Sequence, residues 1–86
     1  VKKAVIEIAR SDDYPTDIRK KAIDNLGTFK DASVIPKILP VLEKKENYVY
    51  YDNILDMIYM IGEEKIWAEQ VRRMAYKANF ERREHD

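Results

Sequence analysis

Apolar residues recur along this chain at the spacing of helix faces. Val1, Ala4, Val5 and Ile8 form a stripe at i, i+3, i+4 and i+7. Ile35, Ile38, Leu39 and Leu42 repeat that spacing thirty-four residues later, and Val71, Met74, Ala75 and Ala78 repeat it thirty-six residues further on. Between them lie Ala22, Ile23, Leu26 and Gly27, matched thirty-five residues on by Met57, Ile58, Ile61 and Gly62. No alternating run is long enough for a strand. The pattern predicts five helices, over about 1–10, 15–27, 32–45, 48–61 and 63–80. Gly27 and Gly62 each stand where a periodic run stops, the position of a left-handed C-terminal cap. Pro15 with Thr16 or Asp17 reads as a helix start, and Asp31 and Ser33 as N-cap candidates. Pro40 falls inside the third predicted helix and should bend it, because it removes one backbone donor and crowds the preceding turn.

Each stripe is too narrow to form a core alone. Two helix pairs preceded by a half pair join such stripes into one core, which is the logic of a helical solenoid. The stretch "DIRKKAIDNLG" followed by "DASVIPKILPVL" resembles a HEAT-like repeat, of the short kind named after phycobilisome lyases. The likeness rests on Ile18, Arg19, Ala22, Ile23, Leu26, Gly27, Asp31, Ile35, Pro36, Ile38, Leu39 and Leu42. Thr28, Phe29 and Lys30 depart from the shortest form. The second unit matches more loosely, with Asn53 at the place of Ile18 and no proline opposite Pro36. The resemblance implies an all-α superhelix of about two and a half hairpins, used mostly as an interaction scaffold. A fold of this kind does not fix a function. The expected domain is a single unit over 1–80 followed by a charged tail over 81–86, and a start on a half pair suggests a piece of a longer array.

Composition narrows the function classes. The 86 residues carry 16 basic and 16 acidic side chains, so the formal net charge is zero and gives no general pull towards polyanions. The absence of cysteine excludes a disulfide framework and thiolate zinc sites. No apolar run approaches the roughly 20 residues that span a bilayer, and no signal-peptide pattern is present. The expectation is a cytoplasmic protein with no cofactor, no metal and no membrane partner.

The second helix of each pair carries a ladder of cations facing away from the core stripe. Lys3, Lys37 and Arg73 are equivalent in the repeat register, as are Arg10 and Lys44, with Lys77 one turn beyond Arg73. Such a ladder suits an acidic protein partner or a phosphate backbone; the plainer reading is a solvated face. Glu7, Val41 and Tyr76 interrupt it. The partner-binding candidates are therefore Lys3, Lys37, Lys44, Arg73, Lys77 and Tyr76, with protein favoured over nucleic acid. Helix four is rich in Tyr and Met, and Tyr50, Met57 and Met60 on its flank form either an apolar interface or ordinary packing. A second copy of the chain, or neighbouring repeats, would cover the open side of helix one.

Trp67 is an anchor or a packing residue, and Asn53 a buried register group or a rim residue. Catalysis finds little support. His85 is the lone histidine and stands one residue from the end, and Asp52 and Asp56 are a carboxylate pair without further ligands. The expectation is a non-enzymatic interaction module. The alternatives are a polyanion binder and a regulatory domain of a larger enzyme.

Overall fold

The computed structural model describes the backbone of residues 1–84 and the side chains of residues 1–77. All regular structure among the described residues is helical. Helix α1 spans Lys2–Arg10 and α2 spans Thr16–Thr28. A third segment follows as a 3-10 turn (Ala32–Val34), a single α turn α3 (Ile35–Ile38) and a second 3-10 turn (Leu39–Glu43). A third 3-10 turn, Lys45–Tyr50, leads into α4 (Tyr51–Ile61), and α5 runs over Glu64–Glu84. The last helix thus continues through most of the segment expected as a tail. Residues 85–86, His85 among them, lie outside the described residues.

The third segment is not one bent helix. Pro40 has no N–H for the carbonyl four residues back, so the α turn stops at Ile38 and the chain tightens into 3-10 geometry. Buried Asn47 donates from Nδ2 to the Val41 carbonyl at 2.9 Å, giving that buried group a partner outside the local ladder. Pro36 sits in the first turn of α3, where no donor is missed. Asp31 caps the segment, accepting from the Ser33 backbone at 3.0 Å and its hydroxyl at 2.7 Å.

The two glycines serve different ends. Gly62 has φ +88° and closes α4 in a Schellman arrangement, its own N–H reaching Tyr59 and that of Glu63 reaching Ile58. Gly27 does not end α2. It is a buried position within the helix, and a Cβ there would lie 2.9 Å from Met60 Sδ, 3.2 Å from Met60 Cβ and 3.4 Å from Met57 Cα. It lets α2 and α4 approach closely. The left-handed residue after α2 is Lys30 at φ 55°, whose ammonium donates to the Met60 carbonyl at the end of α4.

Helix α2 packs against both α1 and α4. The third segment lies against α1, and α5 lies against the two later 3-10 turns and α4. The extents of 40 × 31 × 16 Å describe a slab. Its thin dimension is close to two helix layers, since axes about 8–10 Å apart plus a backbone radius of about 2.3 Å on each side reach roughly 14 Å.

One core cluster runs from Ile6 in α1 to Val71 in α5. Ile35, Ile38, Leu39 and Leu42 are buried as the spacing predicts, and so are Ala22, Ile23, Leu26, Val71 and Ala75. Helix α1 is rotated from its expected orientation. Ile6 and Ala9 are buried, Val5 and Ile8 are only half-buried, and Val1 is 96% exposed.

Candidate functional site: a basic groove between the first and third segments

Arg19 sets the geometry of the α1 edge. It stands one turn into α2 and is only 4% exposed. Its Nε and Nη2 donate to the Ala9 carbonyl at 3.2 and 3.1 Å, so α2 supplies the donors that the last turn of α1 lacks. The guanidinium carbon lies 4.5 Å from the centre of the buried Tyr50 ring, and Nη1 lies 3.6 Å from Asp12. One side chain thereby joins α1, α2 and the turn before α4.

Two ion pairs hold the seam between α1 and the third segment. Lys2 pairs with Asp31, the cap of that segment, and Lys44 beyond its far end pairs with Asp12. Lys2 and the Ser33 donors hold the Asp31 carboxyl well below the usual carboxylate range. The Lys44 hydrogen bond lowers Asp12 and is also what raises Lys44.

Between these ties lies a groove of about 340 Å³, with Ile6 among its lining residues and Lys2, Lys3, Arg10, Lys37 and Glu7 around it. Asp31 holds Lys2, which leaves Lys3, Arg10 and Lys37 facing the single carboxylate Glu7. All three are exposed, and among the described residues none has a carboxylate within ion-pair distance. Arg10 also lines a smaller recess of about 110 Å³ with Asp12, Val41 and Lys44.

The structure places Lys3, Lys37 and Arg10 around one groove, and the rest of the predicted ladder lies outside it. Lys44 belongs to the neighbouring recess and is neutralised by Asp12. Arg73 and Tyr76 line a different groove with Tyr48 and Tyr51. Lys77 is exposed on α5 and lines none of these three grooves. Tyr50 and Met57 are core residues, so they offer no interface; only Met60 of that flank is exposed. Asn53 sits at the rim, donating to Asp24 at 3.0 Å while Ile54 fills the core. Trp67 packs against the core.

Residue spacing did not reveal Arg19 as a buried bridge, although an arginine among the apolar positions of α2 was a signal for it. Among the described residues, no cluster of three or more His, Cys, Asp or Glu side chains is placed to hold a metal. No described helix is long and apolar enough to cross a membrane. No family model, curated protein or solved structure matches the chain.

Proposed function

We propose that this chain is a non-enzymatic protein-interaction module. Its helical segments stack as a short HEAT-like solenoid, and an acidic protein segment binds along the α1 edge. The observation that carries this reading is the groove composition. Lys3, Arg10 and Lys37 face one carboxylate on a protein whose formal net charge is zero. An apolar side chain, Ile6, among the lining residues favours a polypeptide, which offers apolar as well as charged groups. A phosphate backbone would want several more cations along one track.

The test is a titration of the isotope-labelled protein with a glutamate-rich peptide, followed by amide shifts. Saturable shifts at Lys3, Arg10 and Lys37 are expected, weakening with salt. Reversing charge in Lys3→Glu/Lys37→Glu should weaken affinity at least about tenfold, since each cation contributes through complementarity at the rim. Tighter binding of single-stranded oligothymidylate at the same residues would replace the protein partner by nucleic acid. Absence of shifts with either probe would refute the reading.

A further inference from the structure

A second groove, of about 530 Å³, lies where α5 crosses the entry to α4, and it shares no lining residue with the basic groove. One wall is aromatic. The Tyr48 and Tyr51 rings are parallel, with centroids 5.7 Å apart, which is an offset stack. The other wall is α5, where Arg72, Tyr76 and Glu69 share a face at helical spacing and Ala75 opens the space between them.

Glu69 orients both guanidiniums. One carboxylate oxygen lies 3.4 Å from Arg72 Nη2 and the other 3.3 Å from Arg73 Nε. Both arginines remain more than half exposed, so each keeps donors directed elsewhere. Two cations against one carboxylate leave the groove with one net positive charge. Tyr51 has its hydroxyl pushed up chiefly by burial, with the Arg72 cation opposing, so it stays a neutral donor and acceptor.

We infer that this groove binds a short peptide segment in which a carboxylate side chain adjoins an aromatic one. The carboxylate meets the Arg72 and Arg73 forks, for which planar bidentate geometry is the natural match. The aromatic ring lies along the Tyr48 and Tyr51 wall. The charge balance selects the occupant. One surplus cation suits one carboxylate, whereas a run of phosphates would meet Glu69 as a repelling charge. Tyrosine and arginine are also the side chains that carry most binding energy where proteins meet. A groove of about 530 Å³ has room for a few residues. This inference stands apart from the basic groove and holds or fails on its own residues.

The test uses the full chain and a capped hexapeptide with Glu-Phe at its centre, beside peptides carrying Gln-Phe or Glu-Ala. Amide shifts of the labelled protein should map to residues 48–51 and 69–76 and saturate. Each altered peptide should bind at least about fivefold more weakly, because each lacks one of the two matched contacts. Arg72→Gln and Tyr48→Ala, both at exposed positions, should weaken the Glu-Phe peptide by at least about tenfold while keeping the circular dichroism spectrum. Tyr48→Phe keeps the ring and should bind nearly as the native protein does. Lys3→Glu, in the other groove, should leave this affinity unchanged. Equal binding of all three peptides, unchanged affinity in Arg72→Gln, or preference for a single-stranded oligonucleotide at these residues would each overturn the assignment.

Discussion

Arg19 is the residue on which most of the α1 edge depends. Its guanidinium is buried, serves the Ala9 carbonyl with two donors and covers the Tyr50 ring. Arg19→Met keeps much of the volume but removes those donors and the cation–ring contact. A loss of about 3 kcal/mol is expected, since a hydrogen bond to a charged group contributes about 1.5–3 kcal/mol and a desolvated cation–ring contact up to about 2 kcal/mol. Arg19→Lys should recover little, because an ammonium cannot present two donors in one plane while stacking. Urea midpoints of the two variants check this, and a near-native Arg19→Met would show that the carbonyl has another partner. The two glycines should separate just as clearly. At Gly62 the obstacle is backbone conformation, with nothing within 4 Å of an added Cβ. At Gly27 it is space, and the sulfur end of Met60 can swing away while its Cβ cannot. Gly62→Ala should destabilise by about 1 kcal/mol, whereas at Gly27 the helix propensity of alanine offsets part of the crowding and the net loss should be smaller. Gly→Asn discriminates: at position 62 asparagine tolerates the left-handed conformation and should do better than alanine, and at position 27 it should do worse. The same ranking at both sites would contradict this account.

At the scale of elements, α1 is held to the third segment by charge at both ends and by few apolar groups between. Asp31 and Asp12 both have carboxyl pKa values below their ordinary range in the folded chain. A carboxyl lowered on folding contributes stability above its unfolded pKa, and that contribution fades as pH falls below about 4 towards the folded value. Urea midpoints should therefore be flat between pH 7 and 5 and decline below about 4. Asp31→Asn keeps an N-cap but loses the Lys2 pair. It should be less stable than the native chain at pH 7 and converge with it in strong acid; a gap that persists there would mean that the cap geometry, not the charge, is at stake. Elements were unevenly legible in sequence. The buried sides of α2 and of the third segment follow from spacing because each carries one dominant apolar stripe. The first ten residues carry apolar side chains at 1, 4, 5, 6, 8 and 9, enough for two overlapping stripes. Packing against α2 selected Ile6 and Ala9, a choice no periodicity contains. The 3-10 character after Ile38 was half legible: Pro40 announced a break, but not that the chain would tighten instead of bending.

At the scale of the molecule, Lys3 and Lys37, thirty-four residues apart in the sequence, line one groove between α1 and the third segment. Apolar spacing could not place Tyr48 and Arg72 in one groove, because that groove joins the turn before α4 to α5. The spacing of Tyr48 to Tyr51 and of Arg72 to Tyr76 hinted at two faces without saying that they meet. Whether the segments behave as a stack is a question of cooperativity. In a stacked array each unit is stabilised by its neighbours alone, so a terminal helix can be loosened without opening the far end. The native chain should still unfold in one step, because a continuous core links Ile6 to Val71. Ile6→Ala acts at the edge of the core, beside an open groove where the site can relax, and should lower stability by about 2 kcal/mol. Ile58→Ala acts at the centre of α4, fully buried, and should lower it by about 4 kcal/mol. Trp67 at the start of α5 reports the far end by fluorescence, while far-UV circular dichroism reports every helix. In the native protein and in Ile58→Ala the two signals should coincide along a urea titration. In Ile6→Ala the helical signal should begin to fall first, by an amount matching the nine residues of α1, with Trp67 unchanged until the main transition. Coincident curves in Ile6→Ala would mean that α1 and α5 belong to one indivisible globule, and the stacked-hairpin reading would have to be abandoned.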